Sequence, residues 1–196
     1  MRLDHLQKLK KSLFVAAESL NRADSIWLLG GSCSLLLQGV SLNKEPRDLD
    51  VYADTYAIPA LHRELDTWAK DTPRLDEEGM YVSVLSHYQI HDYSVELVGG
   101  FKITSHGSVY EVKIDDLLYN WAPRNTIQDV SFRLMPLSHE LVFNVLRERE
   151  DRYVAIAEVI RQQPERHSEL LKEIVSQNEW SHSHLSLIQD LTGITL

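Results

Sequence analysis

The chain has 196 residues, of which 43% are hydrophobic and 25% charged, a composition that is ordinary for a globular protein with a sizeable core. No apolar run approaches the roughly 20 residues needed to cross a bilayer, which excludes a helical membrane protein, and we expect no signal peptide because residues 1–5 lack an apolar core. A net charge of -9 disfavours nonspecific binding to nucleic acid, and together with the single cysteine, Cys33, these features predict a cytoplasmic protein that does not bind membranes.

The first two-thirds of the chain alternate between helical and strand-like patterns. Apolar residues recur at helical spacing in two segments, residues 3–20 and 58–70. Shorter apolar or alternating runs predict strands over residues 26–29, 48–52, 81–85, 89–91, 94–98, 101–104, 109–114 and 130–134. Gly99-Gly100 is interpreted as a break between strands, and His106-Gly107 as the turn of a hairpin.

The last third of the chain is helical in pattern. Apolar stripes cover residues 141–146, 153–160 and 170–175, and each is too short to form a stable helix alone. We therefore expect residues 136–196 to form a helical C-terminal segment packed on an α/β domain of residues 1–135. His182 and His184 follow these stripes, and we interpret them as part of a solvated turn because no further cysteine or histidine completes a zinc set.

A glycine-rich turn, Gly30-Gly31-Ser32, follows the first predicted strand and precedes a helical pattern. Adjacent glycines allow backbone amides to approach a ligand closely, and the free amides at a helix start favour phosphate. The turn is neither a P-loop nor a dinucleotide fingerprint, because the required lysine and third glycine are missing. It is a candidate phosphate-binding turn, and the alternative is a helix-capping turn without a ligand.

Two aspartates, Asp48 and Asp50, stand one residue apart in a predicted strand. In extended backbone their side chains share one face, and two neighbouring carboxylates disfavour each other's ionisation unless a cation lies between them. Mg²⁺ prefers oxygen ligands of this kind. Arg47 precedes the pair, and its guanidinium either binds a phosphate or neutralises the aspartates.

Three short segments follow one another along the chain: Leu29-Gly30-Gly31-Ser32, Asp48-Leu49-Asp50-Val51 and Val95-Glu96-Leu97. In this order they resemble the polymerase-beta-like nucleotidyltransferase superfamily, including its minimal antibiotic-type and toxin-type members. The resemblance covers about the first two-thirds of the chain. It implies an α/β (α+β) nucleotidyltransferase fold, with a mixed twisted sheet, flanking helices and a helical C-terminal segment.

The resemblance also implies a reaction, the transfer of a nucleoside monophosphate from a nucleoside triphosphate, with ATP favoured, to a hydroxyl-bearing acceptor. By the resemblance, Asp48 and Asp50 bind Mg²⁺ or Mn²⁺, and Glu96 is the third metal-binding carboxylate. Gly30, Gly31, Ser32 and Arg47 then belong to the nucleotide site. Glu96 is otherwise an ordinary exposed strand residue, and Asp92 is the alternative third carboxylate.

One expected residue is missing from the C-terminal helices. Many similar proteins carry a lysine on the helix after the last strand, where it reaches the nucleotide, whereas the nearest cations here are Arg147, Arg149 and Arg152. This departure keeps open a catalytically silent module that binds a nucleotide or a partner, as in a toxin-antitoxin pair.

The acceptor also stays open between a small molecule, a protein and a transfer RNA. The acidic balance of the chain suits a small cationic acceptor, to which Asp76, Glu77 and Glu78 would contribute. A protein partner or a homodimer is compatible with the same sequence. His87 and His91 precede Glu96 and either border the site or are ordinary strand-end residues.

Overall fold

A mixed six-stranded sheet lies at the centre of the computed structural model, which describes residues 3–196. Its strands are β1 (Leu28–Gly30), β2 (Asp48–Ala53), β3 (Arg74–Asp76), β4 (Tyr81–Ile90), β5 (Tyr93–Ser105) and β6 (Ser108–Glu111). They lie in the order β1-β2-β5-β4-β3, and β6 pairs with the end of β5. β2 and β5 run parallel, whereas the other neighbours are antiparallel. A separate hairpin consists of β7 (Arg124–Ile127) and β8 (Val130–Arg133).

Eight α-helical segments accompany the strands in residues 3–196: α1 (Leu3–Leu20), α2 (Gly31–Leu37), α3 (Ile58–Leu65), α4 (Tyr119–Trp121), α5 (Leu137–Leu146), α6 (Glu150–Ile160), α7 (Ser168–Ser176) and α8 (His182–Thr192). A π-helical turn over Ile114–Leu118 leads into α4. None of the described helices is both long enough and apolar enough to cross a membrane.

The two faces of the sheet belong to different hydrophobic clusters. Leu49, Val51, Val95 and Leu97 point to the face that α1 and α3 cover. The alternate residues of β2 and β5 point to the opposite face, where Tyr52, Val98 and Phe101 pack against α5 to α8. Because strand side chains alternate, the residues next to Leu49 and Val95 lie on this second face, which is only partly covered.

Several predicted elements are confirmed. The first helix covers residues 3–20, as its apolar spacing predicted, and the mixed sheet with flanking helices is present. β5 and β6 form the predicted hairpin around His106-Gly107, and β8 corresponds to the predicted strand at 130–134. The predicted helix at 58–70 ends earlier, because α3 passes into a short 3₁₀ turn over Asp66–Trp68.

The interpretation of Gly99-Gly100 as a break was wrong, because both glycines lie inside the continuous strand β5. A Cβ at Gly99 would overlap Ile58, and a Cβ at Gly100 would overlap Thr55 Oγ1. Gly100 also has a φ of +56°. The glycines therefore let the segment around Thr55 and the start of α3 approach the strand closely.

The predicted solvated turn at His182 and His184 was also wrong. These residues begin α8, whose first turn is capped by Ser181 Oγ, and His184 is buried. The Nδ1 atom of His184 lies 2.8 Å from Ser108 Oγ, so this imidazole ties α8 to β6.

Candidate active site

A row of chemically distinctive residues crosses four strands of the sheet. Gly30 on β1 pairs with Asp50 on β2, Asp50 pairs with Glu96 on β5, and Glu96 pairs with His87 on β4. Asp48 lies two residues before Asp50 and therefore on the same face. The register of the sheet thus brings together two carboxylates that are 46 positions apart in sequence, Asp50 and Glu96.

Asp48, Asp50 and Glu96 line an open pocket of about 410 Å³ on the partly covered face of the sheet, whereas Gly30 and His87 lie outside its lining. The acidic part of its lining consists of Asp48, Asp50, Glu96, Glu140 and Asp76. The basic part consists of Arg147, Arg149 and Arg152, which come from α6 and from the segment between α5 and α6. The pocket therefore brings carboxylates from the sheet opposite guanidinium groups from the C-terminal helices.

The carboxylates raise one another's pKa. Burial, followed by the charges of Asp48 and Glu96, raises the pKa of Asp50 to about 8. Burial and the charge of Asp48 also raise the pKa of Glu96 above its ordinary value, while His87 and Arg147 oppose that rise. Simultaneous ionisation of this group is thus unfavourable without a further cation.

Gly31 provides the space that Asp50 occupies. Its φ is +60°, and a Cβ at this position would overlap the Oδ2 atom of Asp50. Gly30 has a different role, because a Cβ there would lie 2.5 Å from the Tyr52 ring. One glycine therefore brings the turn against the carboxylate, and the other brings it against an aromatic side chain.

Glu140 is a site residue that the sequence pattern did not reveal. It lies on α5, is 2% exposed, and accepts a hydrogen bond from the backbone N–H of Gly31 across 2.8 Å. Burial raises its pKa to about 7, although the Gly31 hydrogen bond and the charges of Arg147 and Arg152 lower it. A signal existed in the sequence, because a glutamate inside a largely apolar helix needs a buried partner.

Arg152 joins the C-terminal helices to the glycine turn. Two of its guanidinium nitrogens, Nη1 and Nη2, donate hydrogen bonds to Ser32 Oγ, each across 3.0 Å. Burial and the charge of Arg149 lower the pKa of Arg152. The hydroxyl of Ser32 accordingly lies beside a fixed positive charge.

The other two arginines are held differently. The guanidinium carbon of Arg147 lies 4.7 Å from the ring centre of Phe143 and 5.8 Å from that of Tyr81. Arg149 donates two hydrogen bonds to the carboxylate of Asp151, each across 2.9 Å. These contacts leave Arg147 stacked on aromatic rings at the pocket wall and Arg149 paired with a neighbouring acid.

The backbone arrangement is similar to that of solved nucleotidyltransferase structures. A Thermotoga maritima protein assigned as a nucleotidyltransferase matches with a TM-score of 0.60 and 20% identity, over 84% of this chain and 95% of that chain. The chain has the nucleotidyltransferase fold. The resemblance predicted from the three sequence segments is therefore confirmed for the fold.

The antibiotic-resistance factor ANT(2'')-Ia has the same nucleotidyltransferase fold as this chain. Its solution structure matches with a TM-score of 0.55 and 10% identity, over 94% of this chain and 98% of that chain. Its complex with adenylyl-2''-tobramycin matches with a TM-score of 0.51 and 11% identity, over 86% of this chain and 98% of that chain. No family model and no curated protein sequence matches the chain.

Most of the predicted site residues lie together in this nucleotidyltransferase fold. Gly31, Ser32, Asp48, Asp50 and Glu96 line the pocket. The remaining two, Gly30 and Arg47, are absent from its lining, since Gly30 contacts Tyr52 and Arg47 is exposed at the start of β2.

Two further residues, Asp92 and Cys33, do not line the pocket. Asp92, the alternative third carboxylate, is exposed, and its Oδ2 lies 3.5 Å from Lys8 Nζ. Cys33 is buried, and burial together with the charges of Asp50 and Asp48 raises the pKa of its thiol to about 12. Asp92 thus lies outside the pocket lining, and Glu96 as the third carboxylate stays a prediction. The burial of Cys33 fits a packing residue.

The donor chemistry of the pocket fits the divalent metal ion that the nucleotidyltransferase fold implies. Asp48 and Asp50 share one face of β2, and the pKa of Asp50 is raised first by burial and then by the charges of Asp48, Glu96 and Glu140. Within residues 3–196, no three acidic, histidine or cysteine side chains form a ready metal-binding group. Mg²⁺ is commonly held by one or two carboxylates with substrate phosphates completing its shell, so the aspartate pair suffices as the protein's share. Glu96 as a third ligand stays a prediction.

Proposed function

We propose that this protein is a nucleotidyltransferase that transfers a nucleoside monophosphate, with AMP from ATP favoured, to a hydroxyl group of an acceptor. The observation that carries the proposal is the pocket itself, in which Asp48, Asp50 and Glu96 face Arg147 and Arg152. A triphosphate has negative charge for the arginines and phosphate oxygens for a metal bound at the carboxylates.

The basic wall of the pocket suits the triphosphate. Arg152 reaches Ser32 Oγ at the glycine turn, so a phosphate that approaches Ser32 meets a guanidinium able to donate two hydrogen bonds. Arg147 lines the same pocket, stacked on Phe143 and near the ring of Tyr81 on β4. These arginines take the place of the lysine that many similar proteins carry on the helix after the last strand.

The acidic row suits Mg²⁺ or Mn²⁺, which Asp48 and Asp50 would hold, with Glu96 beside them. When bound, the metal neutralises the charge that develops on the α-phosphoryl oxygens and on the leaving group. Asp48 and Asp50 are held on a central strand of the sheet, and Gly31 fixes the space around Asp50. The protein therefore supplies positioned carboxylates without a rearrangement of its backbone.

In the proposed reaction the acceptor oxygen forms a bond to the α-phosphorus while the bond from that phosphorus to the bridging oxygen of the β-phosphate breaks. Pyrophosphate leaves with the electron pair, and the hydroxyl proton passes to a base in the pocket or to water. The residues of this chain bind and orient the two substrates for an in-line displacement.

The acceptor that we propose is a small cationic molecule. Beyond Glu96 one further carboxylate, Asp76, lines the pocket together with Ser83 and Leu85, and it offers a contact to a cationic group. A net charge of -9 disfavours transfer RNA, and a pocket of about 410 Å³ accommodates a small molecule. The complex of ANT(2'')-Ia with adenylyl-2''-tobramycin contains an acceptor of this kind in the same fold.

The test is incorporation of label from α-³²P nucleoside triphosphates in the presence of Mg²⁺. The acceptor panel contains aminoglycosides, lincosamides, bulk transfer RNA and cell protein, and Asp50→Asn is the matched inactive control. Transfer of label to the aminoglycosides supports the proposed acceptor class. Transfer to RNA or protein supports the reaction and contradicts that acceptor.

One observation favours a second candidate, a module that binds nucleotide without transferring it. The Gly31 N–H, which was expected to bind phosphate, already donates to Glu140. A protein that binds ATP with Mg²⁺ in calorimetric titration but labels nothing in the panel would support this silent module. The predicted cytoplasmic location and a protein partner or homodimer belong to either function and stay predictions.

A further inference from the structure

The row of paired residues that contains Asp50 and Glu96 ends at His87, to which the proposed function assigns no role. His87 is the direct cross-strand partner of Glu96 on β4. Directly opposite side chains of antiparallel strands have Cβ atoms about 4.5–5.5 Å apart. The imidazole of His87 is therefore a neighbour of the Glu96 carboxylate on the same face of the sheet, and its side chain is 35% exposed.

Asp71 holds this histidine from the segment that follows α3. One oxygen of Asp71 accepts a hydrogen bond from the backbone N–H of His87, and the other lies 2.7 Å from its Nδ1 atom. The backbone N–H of Lys70 in turn donates to the carbonyl oxygen of His87 across 2.8 Å. The contact at Nδ1 thus orients the imidazole, and the two hydrogen bonds to the backbone of His87 hold Lys70 and Asp71 beside it.

The contact with Asp71 also decides which nitrogen of His87 carries the proton. Burial raises the pKa of Asp71, but the hydrogen bonds from the backbone and side chain of His87, together with the charges of His87 and Arg74, lower it below the ordinary value. An ionised carboxylate only accepts hydrogen bonds, so Nδ1 must be the donor. Nδ1 donates to Asp71 in the neutral and in the protonated ring alike; in the neutral ring the Nε2 atom has a lone pair, and within residues 3–196 no other group hydrogen-bonds to it.

The position of His87 relative to the charges of the pocket indicates what this lone pair would meet. Ser32 and Arg152 lie beside β1 and α2, at one side of the carboxylate row. His87 is outside the lining itself and lies at the other side, next to Glu96, on the strand that also carries the pocket residues Ser83 and Leu85. If the triphosphate lies against Arg152, the acceptor must approach the α-phosphorus from the side of β4.

We propose that His87, oriented by Asp71, accepts a hydrogen bond from the attacking hydroxyl of the acceptor and aligns it with the α-phosphorus. The inference rests on the proposed nucleotidyltransferase function and extends it by assigning the acceptor side of the pocket. In this role Asp71 is a positioning residue, because it acts only through His87. The pair would raise the turnover number without contributing to triphosphate binding.

The first test compares two substitutions that replace different halves of the imidazole. His87→Asn retains a donor near the Nδ1 position, so the contact with Asp71 and the fold are kept, but it has no atom in place of Nε2. His87→Gln reaches the Nε2 position with an oxygen that can accept a hydrogen bond. Gln89→Ala is the matched control, since Gln89 lies two residues further along the same face of β4 and bonds only to the carbonyl of His91 within the described residues.

Pyrophosphate release is measured with ATP and Mg²⁺, using glycerol as a generic hydroxyl acceptor, so that the natural acceptor need not be known. We expect His87→Asn to lower kcat by about 10²-fold, the loss typical of a misplaced reactant, with the KM for ATP unchanged within a factor of about two. His87→Gln should recover part of the rate. Asp71→Asn should lower kcat in the same direction, while Gln89→Ala should match the wild type.

The outcomes separate this inference from the proposed function. Equal kcat for the wild type and His87→Asn overturns the role of His87 and leaves the nucleotidyltransferase function intact. A tenfold rise in the KM for ATP with unchanged kcat also overturns it, because that result assigns His87 to the triphosphate. A wild-type protein that binds ATP with Mg²⁺ but releases no pyrophosphate with glycerol or any acceptor of the panel overturns both.

A structural readout tests the tautomer independently of catalysis. Nitrogen-15 NMR of the histidine side chains distinguishes a ring that is protonated at Nδ1 from one that is protonated at Nε2. The inference requires the proton on Nδ1 in the wild type and its redistribution in Asp71→Asn. A wild-type ring that carries a proton on Nε2, either alone or together with one on Nδ1, has no lone pair there and contradicts the inference.

Discussion

The side chain of Glu140 accepts a hydrogen bond from the backbone N–H of Gly31 across 2.8 Å, which ties α5 to the turn after β1. The two residues are 109 positions apart in sequence. The contact puts a buried carboxylate where a phosphate was expected. Its charge has to be balanced by Arg147 and Arg152, which both lower its pKa.

The pH dependence of stability should report this buried carboxylate. Burial raises the pKa of Glu140 in the folded protein to about 7 from its ordinary value of 4.5, so the folded state binds the proton more tightly than the unfolded state. The free energy of unfolding therefore falls as the pH rises between these two values. Glu140→Gln keeps the acceptor for Gly31 and removes the charge, so it should be more stable than the wild type by roughly 3 kcal/mol near pH 8 and about equal near pH 4. Urea unfolding at several pH values measures the difference, and parallel curves would contradict the prediction.

Gly31→Ala should disrupt the site through Asp50. An added Cβ overlaps Asp50 Oδ2, and the backbone has a φ of +60° that disfavours any side chain. We expect loss of metal-dependent ATP binding together with destabilisation of about 1–2 kcal/mol from the backbone strain. Gly39→Ala is the matched control, because Gly39 has a φ of +79° but no atom within 4 Å of its added Cβ. If both variants bind ATP like the wild type, the contact with Asp50 is unimportant.

Mg²⁺ or Mn²⁺ should tighten ATP binding through Asp50. Asp50→Asn replaces the carboxylate with an amide of the same shape, so Leu49 and Val51 keep their packing while the metal loses a charged ligand. We expect the wild-type Kd for ATP to fall when metal is added and the variant Kd to stay constant. Calorimetric titration measures both, with Asp92→Asn as a control for an exposed carboxylate outside the pocket. A wild-type Kd that is independent of metal would refute the metal site.

Arg152→Lys should weaken triphosphate binding although it keeps the positive charge. A lysine ammonium group cannot donate two parallel hydrogen bonds from a planar group. Its hydrogen bonds to Ser32 and to a phosphate would therefore be fewer and less well aligned than those of Arg152. We expect the KM for ATP to rise about tenfold, equivalent to about 1.4 kcal/mol, with kcat less affected. Arg161→Lys, at the exposed end of the same helix, should behave like the wild type. An unchanged KM in Arg152→Lys would place the phosphates elsewhere.

Residues 1–135 should not fold as an independent unit. The cluster around Tyr52 and Phe101 includes side chains of α5 to α8, such as Leu141 and Ile156, so a truncated chain exposes one face of its sheet. We expect the fragment to lose cooperative thermal unfolding and ATP binding. Calorimetry of the fragment measures both properties. A cooperative transition near the temperature of the full chain would show that residues 136–196 are a separate appendage.

The fold was predictable from sequence where local patterns and the tertiary structure agree. The stripe of residues 3–20 faces the sheet as its period requires, and Asp48 and Asp50 share a face because strand side chains alternate. The prediction failed at Gly99-Gly100, where glycine serves close packing against Thr55 and Ile58. That reason depends on a neighbour more than 40 positions away, which no local pattern contains.

The residues of the candidate site were likewise predictable only where the local sequence marks them. The turn and the carboxylates on β2 and β5 have recognisable local sequences, whereas Glu140 and the pair of Asp71 and His87 do not. Their roles depend on strand register and on helix docking, which bring His87 opposite Glu96 and Glu140 opposite Gly31. Sequence alone identified Arg147, Arg149 and Arg152 as the nearest cations, but not that Arg152 reaches Ser32.

The separation of charges along the chain has a consequence for translation. The acidic row is complete once Glu96 has been synthesised, whereas the arginines that face it begin at Arg147. Because a nascent chain emerges N-terminus first, the carboxylates leave the ribosome well before their counter-charges. A product of premature termination before Arg147 would contain the carboxylates of the row without Arg147, Arg149 and Arg152, the guanidinium groups that face them in the folded protein.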